Sequence, residues 1–122
     1  MKRDARDYLN DIIHYARLAQ QFVRCVSAEE FETDFKTQFA VIRALEVIGE
    51  AARAVPVEIR ERFPGVAWMQ MNSLRNQLVH NYWGIDARIV FDTVEVDVPL
   101  VIDQILGIIA ALESENGDAN LT

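Results

Sequence analysis

Apolar positions recur at helical spacing over most of this chain. Tyr8, Ile12, Tyr15, Ala19, Phe22 and Val26 follow one another at three or four residues and predict a first helix from about Arg3 to Val26. Ser27-Ala28-Glu29-Glu30 has the spacing of a capping box, with Ser27 accepting from the first turn and Glu30 reaching back. It predicts a second helix that runs on to about Val55. Phe31, Phe35, Phe39, Ile42, Leu45, Ile48 and Ala52 form its stripe, and Pro56 stops it. A short helical piece, Val57 to Arg62, leads into a turn at Pro64-Gly65. The next helix covers roughly Ala67 to Tyr82, and Gly84 ends it.

The last segment, Asp86 to Leu112, carries two conflicting signals. Thr93-Val94-Glu95-Val96-Asp97-Val98 alternates like a strand, and Pro99 would deny a helical hydrogen bond to the Glu95 carbonyl. Its flanks, Ile85 to Phe91 and Leu100 to Leu112, are helical in pattern, and a lone strand would have no partner. The reading is one long helix kinked near Pro99. The polar run from Glu113 onward suggests a tail, residues 115–122, that frays beyond a single domain of residues 1–114. The predicted fold is all-α, an antiparallel bundle of four to five helices.

Composition narrows the possibilities. A chain of 122 residues, 51% hydrophobic, suits one domain with one core. Charges interrupt its first twenty residues, so they read as neither a signal peptide nor a membrane span. Cys25 is the single cysteine, which excludes an internal disulfide and favours a reducing, cytoplasmic setting. A net charge of −7 argues against broad electrostatic binding of nucleic acid. Any RNA contact must use locally focused positive charge. The basic side chains are almost all arginine, the type suited to bidentate phosphate contacts.

One stretch departs from a plain amphipathic pattern: Arg75-Asn76-Gln77-Leu78-Val79-His80-Asn81-Tyr82. On an ideal helix Trp68, Met71, Leu78, Val79 and Tyr82 all fall within about 60° of Arg75. A cation centred on an apolar arc is costly unless it is paired or faces a wet crevice. Asn76 and His80 lie one turn apart on the neighbouring face. Arginine, a polar amide, histidine and tyrosine together are the residue types of phosphate chemistry. Each also has a plain reading. Arg75 could pair with Glu46 or Glu50, His80 could be structural, and Tyr82 could be core packing.

With these residues in place, the chain resembles the HEPN superfamily, and within it the HepT-like toxins of HepT–MntA toxin–antitoxin pairs. The HepT pattern Arg-x4-His-x-Tyr is filled by Arg75, Asn76, His80 and Tyr82. The stretch from Phe39 to Ala52, with Ile48-Gly49-Glu50-Ala51, is similar to the family's second helix. Phe63-Pro64-Gly65-Val66-Ala67-Trp68 resembles its Pro-x-Ile-Pro-Trp lead-in, with Ala67 where a proline is usual. Asn81-Tyr82-Trp83-Gly84-Ile85-Asp86 and Asp97-Val98-Pro99-Leu100 continue the likeness, which spans about Tyr8 to Leu112.

The resemblance implies a helical homodimer whose two motif helices meet across a cleft. It implies a metal-independent RNase with Arg75 and His80 as catalytic residues, Asn76 and Tyr82 in support, and no cofactor. It also implies a small MntA-like nucleotidyltransferase antitoxin that silences the toxin by transferring AMP to Tyr82. Two other classes compete: a non-catalytic helical module that docks the nucleotidyltransferase or binds a nucleotide, and a purely structural dimer.

Other constellations are weaker. Ser73, His80 and Asp86 lack an oxyanion hole and a presented nucleophile. His14 has no metal-ligand spacing around it. Glu46 and Glu50, one turn apart, suit an arginine partner better than a metal. Arg43 and Arg53 are candidates for substrate contact outside the motif.

Overall fold

The computed structural model describes residues 3–73 and 86–121, and those residues contain helices and turns without a strand. Helix α1 spans Ala5–Val23. Asp4 caps it: its carboxylate accepts from the Asp7 N–H at 3.1 Å, while the Asp7 side chain accepts from the Asp4 N–H at 3.0 Å. That reciprocal pair satisfies two donors that a helix start leaves open. The buried face of α1 is Leu9, Ile12, Ile13, Ala16, Ala19 and Val23. Tyr8 and Tyr15 sit at its edge, and Phe22 stays exposed.

The predicted second helix is in fact two. Helix α2 is a single turn, Ala28–Phe31, started by the capping box at Ser27 and Glu30. Helix α3, Phe35–Ala54, starts afresh at Asp34. The Asp34 carboxylate accepts from both the backbone N–H and the hydroxyl of Thr37, at 3.1 and 2.6 Å. An aspartate that binds its own downstream backbone favours a helix start over a helix interior. The break divides the expected stripe. Phe31 is fully buried and meets Phe91 with ring centroids 5.5 Å apart. Phe35 and Phe39, on the new helix, are 63% and 67% exposed. From Ile42 onward the stripe resumes inward, through Leu45, Ile48 and Ala52.

Val55 leaves the helix in extended conformation before Pro56, as a residue preceding proline prefers. Helix α4, Val57–Arg62, follows, and then the turn at Pro64-Gly65. Helix α5 occupies residues 68–73 of the described chain. Helix α6, Ala87–Asp92, is capped by Asp86, whose Oδ1 accepts from the N–H groups of Arg88 and Ile89 at 2.9 and 3.3 Å. A π-helical turn, Thr93–Asp97, leads directly into α7, Val98–Leu121.

The alternating segment is therefore helical, and the π turn lies just ahead of the proline. Val98 donates to the carbonyl of Thr93, five residues back. Widening the helix there accommodates a residue that offers no N–H and crowds the preceding turn. Helix α7 runs on to Leu121. Glu115 is ion-paired with Arg62 of α4, and Glu113 with Arg6 of α1.

The core lies between α1, α3 and the run from α6 to α7. Its deepest side chains include Leu9, Ile12, Phe31, Leu45, Ile105 and Ile108, each at most 1% exposed. At roughly 1.5–3 kcal/mol for each large apolar side chain removed from water, this layer dominates the stability of the fold.

Candidate nuclease site and its surroundings

Arg75, Asn76, His80 and Tyr82 lie outside the described residues. What the structure describes is the approach to them. Trp68 begins α5, and its indole Nε1–H donates to the Phe63 carbonyl at 3.0 Å across the Pro64-Gly65 turn. Gln104 of α7 donates to the Gly65 carbonyl at 3.3 Å. Met71 is buried among the core residues. These contacts fix the direction in which the chain enters the segment that carries the motif. The indole-to-carbonyl bond supplies a local constraint on this turn.

Two concavities flank α5. A cleft of about 470 Å³ lies between α5, α3 and the α6–α7 run. Leu45, Ile48 and Val101 form its apolar wall, with Gln70, Ser73 and Gln104 among its polar lining. A wider groove of about 790 Å³ lies on the other side, between the end of α3, α4 and α5. Arg53, Arg60, Trp68 and Asn72 all line it.

The ion pairs explain where positive charge is committed. Arg3 pairs with Asp11 at 2.6 Å, and Arg88 with Asp92 at 3.3 Å. Arg6 and Arg62 pair with the carboxylates of α7. The Arg62 contact holds the Glu115 carboxyl below its ordinary range, chiefly through the hydrogen bond. Arg43 lies 3.3 Å from Glu46 and 3.6 Å from Glu50, so this candidate for substrate contact is engaged by the two glutamates of its own helix. All these pairs are solvent-exposed and contribute little stability individually. Arg53 and Arg60 pair with no carboxylate among the described residues.

The weaker constellations also resolve. Asp86 serves as the cap of α6. His14 is exposed, edge-on to Tyr15 with ring centroids 5.0 Å apart. Arg60 and Asn72 carry no motif in the sequence. The tertiary structure brings them into one groove with Arg53.

A family model described as ribonuclease HepT-like matches residues 12–108, which include the whole of Arg75 to Tyr82. The chain belongs to the HepT-like family. A protein of Thermococcus cleftensis named "Probable ribonuclease HepT" is 44% identical over 99 residues, covering 81% of this chain and 90% of that protein. Two provisionally named RNases of Methanocaldococcus jannaschii are 42% and 41% identical. The first alignment covers 82% of this chain and 92% of the relative, and the second 94% and 95%. No solved structure matches. The HepT-like assignment agrees with the all-α architecture. No helix among the described residues is long and apolar enough to cross a membrane.

Proposed function

We propose that this protein is a metal-independent endoribonuclease, the toxin of a toxin–antitoxin pair, acting in the cytoplasm as a homodimer. The observation that carries the reading is an intact Arg75-Asn76-x3-His80-x-Tyr82 inside a HepT-like match that spans most of the chain. The ribonuclease names of its relatives support it.

Cleaving RNA without a metal requires three groups. A base takes the proton from the 2′-hydroxyl, a cation steadies charge on the phosphorane, and an acid protonates the leaving 5′-oxygen. One chain offers a single motif histidine and arginine. A twofold dimer offers two of each. His80 of one protomer then serves as base and His80 of the partner subunit as acid. A histidine suits both roles because its pKa lies near neutrality. Arg75 holds the scissile phosphate through charge-assisted hydrogen bonds, and Asn76 orients His80 or the phosphate. Tyr82 lines the cleft. AMP placed on its hydroxyl by a nucleotidyltransferase antitoxin adds bulk and negative charge where RNA phosphate must enter, which switches the enzyme off.

The test is RNA cleavage in excess chelator by protein purified without its antitoxin, with His80→Ala and Arg75→Ala in parallel. Cleavage by the wild type alone is the expected result. Undiminished cleavage by both variants overturns the assignment. No cleavage by a wild type whose Tyr82 is unmodified by mass spectrometry would favour a binding module over a nuclease.

A further inference from the structure

The groove between the end of α3, α4 and α5 has features that the motif chemistry does not use. Its volume, about 790 Å³, is within the range of sites that hold a nucleotide-sized ligand. Arg53 and Arg60 bring two positive charges to it against one carboxylate, Glu61, in a chain whose net charge is −7. Of the nine arginines in the described residues, five are engaged by carboxylates. Two of the remaining four converge on this one groove. The other two, Arg17 and Arg24, lie exposed on or just beyond α1.

The groove is also built to keep its shape. The Nε–H of Arg60 donates to the Val55 carbonyl at 3.0 Å, which fixes the guanidinium against the wall. The Trp68 ring is fixed by its bond to the Phe63 carbonyl. On the α5 side stands Asn72, whose Oδ1 is buried with no hydrogen-bond partner among the described residues. An unpartnered buried acceptor is costly and uncommon. The amide torsion of asparagine is broad, so a modest rotation turns this oxygen toward a ligand. A planar donor–acceptor amide beside two arginines matches the two parts of a nucleotide, base edge and phosphate.

Covalent geometry links this groove to the motif. Three peptide units separate Asn72 from Arg75, so their Cα atoms lie within about 11 Å whatever the intervening conformation. We propose that the groove is a substrate-binding subsite for single-stranded RNA, holding a nucleotide next to the scissile position. Arg53 and Arg60 contact its phosphates and Asn72 contacts its base. These are positioning residues, and the inference rests on the ribonuclease reading above. An unpaired strand fits better than a duplex, because only unstacked nucleotides present a base edge to a side chain in such a recess.

The experiment uses the full-length wild type, Arg53→Glu, Arg60→Gln and Asn72→Ala, with Arg17→Glu as a control. Arg17→Glu makes the same charge change as Arg53→Glu on another face. Cleavage of a short unstructured RNA is measured over a range of salt. Arg53→Glu is expected to raise KM about tenfold near physiological salt and to leave kcat within about twofold. It should also lower the slope of log affinity against log salt by roughly 0.7, the value for one single-strand phosphate contact. Arg60→Gln should act in the same direction, and Arg17→Glu should change KM less than twofold. Asn72→Ala should alter the preference among homopolymeric RNAs.

Equal KM and salt slope for wild type and Arg53→Glu, with cleavage intact, would overturn the subsite and leave the nuclease standing. An equal effect of Arg17→Glu would overturn it too, because the cause would then be overall charge. Absence of cleavage in the wild type would instead count against the nuclease reading itself. Because Arg53 is exposed, its variant should fold; circular dichroism and a matched Tm check that.

Discussion

The layer formed by α1, α3 and α7 and the corner formed by residues 55–73 are held together by different forces. In the layer, side chains such as Ile12, Leu45 and Ile105 are removed from water almost completely. In the corner, α4 has no buried residue, and Val55 and Met71 are the corner's buried side chains. Ile59, Phe63, Val66 and Trp68 pack half-buried against the core, and its shape is set by side chains bonded to main-chain carbonyls: Arg60 to Val55, Trp68 to Phe63 and Gln104 to Gly65. Burial is strong and indifferent to direction, whereas a hydrogen bond contributes about 1 kcal/mol net and fixes an angle. The difference teaches where function can be placed. The layer supplies stability. The corner buries few side chains completely, and its Arg60 lines the groove together with Arg53 from the end of α3.

Four outcomes would break or sharpen that contrast. The largest is chemical. His80→Ala should reduce RNA cleavage about 10²–10⁴-fold, the usual contribution of a general acid–base group, measured as initial rates in chelator. An unaffected rate would place the chemistry elsewhere. Next, Leu45→Ala in the layer should cost about 2–5 kcal/mol and lower Tm by about 10 °C or more, read by calorimetry. A loss below about 1 kcal/mol would mean that the layer does not carry the stability.

Trp68→Phe in the corner should cost only about 1 kcal/mol, because the ring packing largely remains and one hydrogen bond is lost. Its signature should be local: faster amide exchange over residues 63–73, with little change in α1. Uniform acceleration across the molecule would show that corner and layer open together.

The smallest effect concerns pH. Hydrogen bonds from Thr37, side chain first and then backbone, hold the Asp34 carboxyl below its ordinary value of 3.8. A carboxylate whose pKa is depressed in the folded state stabilises that state above its unfolded pKa. The stabilisation is lost as pH falls through the folded value. The Asp34 contribution should therefore be fully present and independent of pH near neutrality, and decline below about pH 3.8. Asp34→Asn, which can still cap, should shallow that acid decline in melts between pH 2.5 and 5 (about the carboxylate range). An unchanged slope would remove Asp34 as a contributor.

Much of this architecture is legible along the chain, and the failures have local causes. The capping box at Ser27, the stop at Pro56, the Pro64-Gly65 turn and the helical nature of the last segment follow from residue spacing. The break at Asp34 does not, because Phe31, Phe35 and Phe39 keep helical spacing across it. Periodicity counts apolar side chains and is blind to a single aspartate that prefers to cap. Phe22 shows the same limit: it sits in register with the α1 stripe yet stays exposed, since the buried face is centred on Leu9, Ala16 and Val23.

The sequence by itself determined the helical class, the family and the identity of the motif residues. Those depend on spacing, capping chemistry and a run of residue types that the linear order preserves. Only the tertiary structure decided which face of each helix is buried, which arginines are engaged by carboxylates and which ones share a groove. Arg62 meets Glu115 across 53 positions, and Arg60 of α4 lines the same groove as Arg53 of α3 and Asn72 of α5. Such contacts join residues far apart in the chain. They follow from how the core packs, not from any local pattern.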